Sequence, residues 1–244
     1  MKTIPYAEID TLFLDAGNTL ICMNYAKVCA ALDALGFAAD AESVRRAEAA
    51  ARPATSARIA STKSGDDYVL FEFHLAQIVR ALASASGRSV DAQSLAAELG
   101  ARIRVPGEDY RLWTWIVPGV PEALQRLDAL GLRLVVVSNS DGTVARALEE
   151  CGLARYLDAV FDSRVVGYEK PDPRFFAHAL QQARADARRT AHVGDMYYQD
   201  VHGARAAGLH SVLLDPFGDW HVEDCVRCRD LGELAERLAS ARGA

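Results

Sequence analysis

Lysine is scarce in this chain. Only Lys2, Lys27, Lys63 and Lys170 occur among 27 basic residues, with no basic tail and no run of like charge. Nucleic-acid binding calls for clustered Lys and Arg, so this pattern and a formal charge of -6 argue against it. No apolar run approaches the ~20 residues that a membrane helix needs. Near the N-terminus, Glu8 and Asp10 stand where a secretory leader would be apolar, so a cytoplasmic location is expected. Cysteine is sparse too. Five in 244 residues do not make a disulfide framework. Cys225 and Cys228 form a lone Cys-x-x-Cys, with His221 four residues earlier. A zinc site would need a fourth ligand, so buried or idle thiols are the expectation. The arginine and alanine bias suits a GC-rich bacterial genome.

Hydrophobic residues make up 50% of the chain, enough for one large α/β domain or a core plus an insert. Five short apolar runs read as buried parallel strands: Thr11–Leu14, Leu132–Val137, Ala159–Phe161, Thr190–Val193 and Ser211–Leu214. Helical patterns lie between most of them, at Pro121–Leu130, Val144–Cys151, Arg174–Ala183 and Val201–Ala207. That alternation predicts a doubly wound α/β sheet with right-handed crossovers. From about Cys22 to about Trp113 only helical periodicity is found. Tyr25–Leu35 ends at Gly36, and Ala41–Ile59 carries Pro53 as a kink or break. Asp66–Ala85 follows a loop at Ser61–Gly65, and Asp91–Ile103 follows one at Ser84–Ser89 and is closed by Val105-Pro106-Gly107. So much helix is too long for one crossover and reads as an inserted subdomain.

Ligand sites on such sheets lie beyond the carboxyl ends of the strands, and the chemistry-bearing residues fall there. Asp15 follows Leu12-Phe13-Leu14, where a carboxylate can attack phosphorus in line or simply cap a turn. Gly17 and Asn18 suit a tight backbone path, and Thr19 can bond a phosphoryl group or the loop. Ser138-Asn139 follows the second long strand, although Ser140 or Asp141 can equally cap the next helix. Lys170, the only lysine after Lys63, precedes Pro171-Asp172-Pro173, a rigid lead into a helix. Asp195 and Asp200 sit in a loop after His192-Val193-Gly194. Hard oxygen donors of this kind suit Mg²⁺. His192, in an apolar strand, reads as a core histidine.

Together these pieces resemble the haloacid dehalogenase superfamily, in its branch with a helical cap after the first core strand. Asp15-Ala16-Gly17-Asn18-Thr19 resembles the nucleophile motif, Ser138-Asn139 the second, Lys170-Pro171 the third, and Gly194-Asp195 through Asp200 the fourth. Pro118-Gly119-Val120-Pro121 resembles the return from cap to core. The resemblance implies a Rossmann-like core (1–21 and 114–244) and a helical cap (22–113). It also implies Mg²⁺ as cofactor and an aspartyl-phosphate intermediate. Asp15 would then be the nucleophile. Mg²⁺ would be held by Asp15, the Gly17 carbonyl and Asp195, with Asp200 assisting. Ser138, Asn139 and Lys170 would bind the phosphoryl group.

Gly17 departs from the pattern. Family phosphatases usually carry an aspartate there as general acid and base, help worth ~10²–10⁴-fold. The expected function is a Mg²⁺-dependent phosphatase of a small phosphorylated metabolite, weakened by that loss and acting as monomer or homodimer. The cap residues His74, Arg102, Arg104 and Trp113 are candidates for choosing the substrate. A 2-haloacid dehalogenase, which lacks the same aspartate and needs no metal, is the alternative. So is a catalytically impaired binding protein. A phosphonatase, using a cap lysine such as Lys27 or Lys63, is a minor reading.

Overall fold

The structure, a computed structural model, describes residues 3–62, 67–104 and 109–243. In chain order its elements begin with β1 (Thr11–Leu14) and β2 (Ile21–Cys22). Four helices follow: α1 (Tyr25–Ala34), α2 (Ala41–Thr62), α3 (Asp67–Ser86) and α4 (Ala92–Ile103). Then come β3 (Trp115–Ile116), α5 (Val120–Ala129), β4 (Arg133–Ser138), α6 (Val144–Glu150), β5 (Ala159–Asp162), α7 (Ser163–Val166) and α8 (Pro173–Ala183). The chain continues with β6 (Thr190–Gly194), α9 (Gly203–Ala206), β7 (His210–Leu214), β8 (Val226–Cys228) and α10 (Leu231–Arg242). It divides into two compact units, Met1–Cys22 with Thr114–Ala244, and Met23–Trp113.

The first unit is a six-stranded parallel sheet in the order β5-β4-β1-β6-β7-β8, flanked by helices in the Rossmann-like manner. β1 is central. Leu14 pairs with Val136 on one side and Val193 on the other. A strand buried on both faces favours a nearly continuous apolar run, and Thr11–Leu14 is fully buried. Phe13, Val135 and Val137 pack with Phe175, Phe176 and Ala179 of α8 on one face. Val201, Leu213, Trp220 and Cys225 form a second cluster.

The five sequence-predicted strands lie where their apolar runs stand, shifted by at most one residue at the ends. Two features escape sequence reading because they are only two or three residues long. They are the β2–β3 antiparallel pair and β8, which adds to the sheet edge beside β7. β8 lies inside the Cys-x-x-Cys. Both thiols are free and buried, and burial pushes the Cys228 thiol up to about 12. Burial of this kind suits packed thiols.

The second unit is helical. α2 runs through Pro53, where the sequence predicted a kink or break. Helical contacts lie on both sides of the proline. Arg52 pairs with Glu48 one turn back, and Thr55 Oγ1 bonds the Ala51 carbonyl (3.0 Å) and His74 Nδ1 of α3 (2.8 Å). Tertiary packing thereby overrides a poor local residue. The predicted loop at Ser84–Ser89 is helical as far as Ser86. The loop at Ser61–Gly65 is helical through Thr62. The closing Val105-Pro106-Gly107, with Lys63 and Asp66, lies outside the described residues.

Candidate active site

Four chain segments meet at the carboxyl edge of β1, where its neighbours β4 and β6 connect in opposite directions. After β1 the chain turns tightly. The Thr19, Leu20 and Ile21 amides all donate to the Ala16 carbonyl, at 3.3, 2.9 and 3.0 Å. Asn18 takes the left-handed position of that turn, at φ 53°. The Asp15 amide donates to the Val193 carbonyl of β6 (2.8 Å), which ties the Asp15 loop to the loop bearing Asp195.

Lys170 is the hub. Its ammonium is buried, 2.6 Å from Asp15 Oδ1 and 2.7 Å from Asp200 Oδ1. The side chain of Asn139, expected to bind a phosphoryl group, is engaged elsewhere. Its Nδ2 donates to the Lys170 carbonyl (2.9 Å) and its Oδ1 accepts from the Lys170 amide (2.7 Å). Asn139 therefore positions the lysine. Ser138 is buried at the end of β4, in register with Asp162 of β5. Asp162, unremarked in sequence, accepts from the amides of Gly142 and Arg164 and so shapes the loop after β4.

Asp200 does not lie in a loop, as the sequence suggested. A π-helical stretch, Tyr197–His202, precedes α9. The Asp200 amide donates to the Met196 carbonyl (2.8 Å) and the Met196 amide to Asp200 Oδ2 (2.8 Å). This reciprocal pairing winds the turn much as a capping box does. Two glycines make room. A Cβ on Gly194 would lie 2.2 Å from Asp200 Cγ, and one on Gly203 would lie 2.8 Å from Pro171 Cα. His192, fully buried edge-on against Phe176, meets Asp200 Oδ1 through Nε2 at 2.9 Å. Burial, seconded by the Lys170 ammonium, pushes the imidazole below its ordinary value. The ring is then neutral, with Nε2–H donating to the carboxylate.

The charges are unequal in their support. Burial opposes ionisation of Asp200, but Lys170 and His192 outweigh it and hold the carboxyl below its ordinary range. Burial, with repulsion from Asp200, raises Asp15 above its ordinary value despite Lys170. Burial works against the Lys170 charge too, yet the two carboxylates hold its ammonium above the usual lysine value. Asp15, Asp195 and Asp200 offer oxygens all within 4.8 Å of one another. Three converging carboxylates, two of them paired with one ammonium, make a donor set that suits a hard divalent cation. Asp200 has both oxygens committed within the protein, so Asp15 and Asp195 are the better candidates to touch such an ion.

In the second unit His74 is held by Thr55 and Glu48, and Arg104 lies over the Phe71 ring, its guanidinium carbon 5.3 Å from the centroid. Arg102 is exposed and Trp113 half-buried.

A parallel α/β sheet with a buried aspartate–lysine–acid cluster at its carboxyl edge is an arrangement on which a hydrolase is built. The chain belongs to the haloacid dehalogenase-like hydrolase family, whose model matches residues 9–208. The haloacid dehalogenase-like hydrolase domain-containing protein 3 of Bos taurus is 42% identical over 102 residues, covering 41% of each chain. The ribulose-1,5-bisphosphate 5-phosphatase of Halopiger xanaduensis is 34% identical over 130 residues, 53% of this chain and 51% of that one. The chain thus spans about half or less of the length of these curated relatives. Among solved structures, the 2-haloacid dehalogenase of Pseudomonas syringae pv. tomato is 26% identical, with a TM-score of 0.55 over 95% of this chain and 99% of that one.

Proposed function

We propose that this hydrolase is a Mg²⁺-dependent phosphatase of a small phosphorylated metabolite, working through an aspartyl phosphate on Asp15. The observation that carries the reading is the charge imbalance of the cluster. Three buried carboxylates offer oxygens within 4.8 Å of one another, and Lys170 pairs with two of them, a surplus of negative charge that a dehalogenase would not need. The phosphatase named among the relatives supports the same reading.

Asp15 attacks phosphorus in line, and a carboxyl O–P bond forms as the P–O bond to the leaving alcohol breaks. The leaving oxygen takes its proton from solvent, since residue 17 has no side chain to donate one. Water then attacks the acyl phosphate, releasing inorganic phosphate and restoring the carboxylate. Lys170 balances the charge of Asp15 and of the transferring group, Asn139 holds the Lys170 backbone, and Ser138 donates to a phosphoryl oxygen. Asp15, the Gly17 carbonyl and Asp195 would hold Mg²⁺, while Asp200 fixes the lysine. The ion, when bound, neutralises phosphate charge.

The test is a screen of phosphorylated metabolites with and without Mg²⁺. Phosphate release that chelation abolishes is expected. The second reading, a dehalogenase, is favoured by Gly17, since the acid missing there is one that dehalogenation does without. Halide release from 2-haloacids that survives chelation would establish it in place of the phosphatase.

A further inference from the structure

Asn18 occupies a backbone position that glycine fills more easily. At φ 53° it is one of two non-glycine residues in the left-handed region among those described. Its amide is fastened to the Ile21 carbonyl (2.6 Å), so the turn itself places the side chain. Asparagine is among the few residues that tolerate this conformation, but glycine does so without steric conflict. A side chain kept here invites the question of what it reaches. Asn18 Nδ2 donates to Asp195 Oδ2 at 3.2 Å, across 177 residues of sequence. The chemistry fixes which end of the carboxamide faces the acid, because an ionised carboxylate only accepts.

Asp195 is buried and is one of the three acids whose oxygens converge. A carboxylate on a short side chain rotates about its Cβ–Cγ bond unless something holds it. An amide donor on one oxygen sets that rotation and thereby the direction of the other. Partners of this kind orient metal ligands, and losing them typically costs 10–100-fold in metal affinity. We propose that Asn18 is a positioning residue that aims the Asp195 carboxylate for the divalent cation. Neighbouring Gly17 offers no side chain for the task, so the loop after β1 contributes through residue 18. The inference rests on the Mg²⁺ reading above.

The experiment is Mg²⁺ titration of the whole chain by calorimetry, for the parent, Asn18→Gly and Asp195→Asn. Glycine suits the backbone at residue 18, so Asn18→Gly should fold. Its near-UV circular dichroism and metal-free melting midpoint should match the parent. Asp195→Asn should lose Mg²⁺ binding. Asn18→Gly should bind Mg²⁺ about tenfold more weakly or worse. The rise of its melting midpoint with Mg²⁺ should then need correspondingly more of the ion. If the parent binds Mg²⁺ and Asn18→Gly binds it within twofold as tightly, the positioning role is refuted and the metal reading stands. If the parent binds no Mg²⁺, both are refuted.

Discussion

Replacing Lys170 with methionine tests the electrostatic design of the cluster directly. The methionine nearly conserves volume but leaves Asp15 and Asp200 facing each other without the ammonium that now lies 2.6 and 2.7 Å from them. At those distances each attraction is worth about 6 kcal/mol at an effective dielectric of roughly 20, before the cost of burial is set against it. Deleting one partner of a buried pair costs about 3–5 kcal/mol net, because the orphaned charge stays buried. Asp200 keeps its bonds from Met196 and His192, so the loss falls mainly on Asp15. The effect has a definite pH dependence. Without the ammonium both carboxyls take up protons more readily in the folded than in the unfolded chain. The penalty is therefore full near neutrality and shrinks as pH falls toward the unfolded value of about 4. In the parent, the lysine's raised value makes its contribution complete below about 10.4 and lost only as pH rises through the higher folded value. The assay is urea unfolding of both proteins at pH 7.5 and 4.5, without divalent cations. A loss under ~1 kcal/mol at pH 7.5, or one that does not shrink at 4.5, would refute the reasoning.

Asp15→Asn should abolish turnover yet melt higher than the parent at neutral pH. The parent's raised carboxyl loses stability as pH rises through its folded value, so the gap should close on acidification, and a variant no more stable than the parent at pH 7.5 would contradict this. Gly194→Ala should fold poorly or lose activity by 10²-fold or more, because its Cβ would lie 2.2 Å from Asp200 Cγ; wild-type rates would show that the loop yields. With no acid at residue 17, a leaving-group series should give a steep dependence of rate on leaving-group pKa, and Gly17→Asp should flatten it; a shallow parent slope would reveal another acid. In the helical unit, burial alone would raise the Glu48 carboxyl, but the Arg52 guanidinium and His74 hold it at about 2. That stability is present above the unfolded value of about 4.3 and lost as pH falls through 2, so Glu48→Gln should cost roughly 3 kcal/mol at pH 7 and little at pH 2, as acid titration of helical circular dichroism would measure.

The strands were legible because burial on both sheet faces favours apolar residues, and residues 12–14 and 134–137 carry that mark locally. Asp15, Ser138, Lys170 and Asp195 were legible for the same reason. Each is a polar residue at or just beyond the end of such a run, or at the entry to the next helix, and a parallel sheet carries all those ends to one edge. What each side chain does there was not written locally. Asn139 and Lys170 are 31 residues apart, and Asn18 and Asp195 are 177 apart. Only tertiary packing turned the Asn139 carboxamide onto the lysine backbone, or brought Asn18 against an acid. Asp200 passed from an expected loop into a π-helical turn because its own carboxylate captured the Met196 amide, over a glycine with no Cβ to obstruct it. Periodicity reports which residues are buried. Hydrogen-bond partners distant in the chain are decided by geometry, and so are the charges of groups that share one buried lysine.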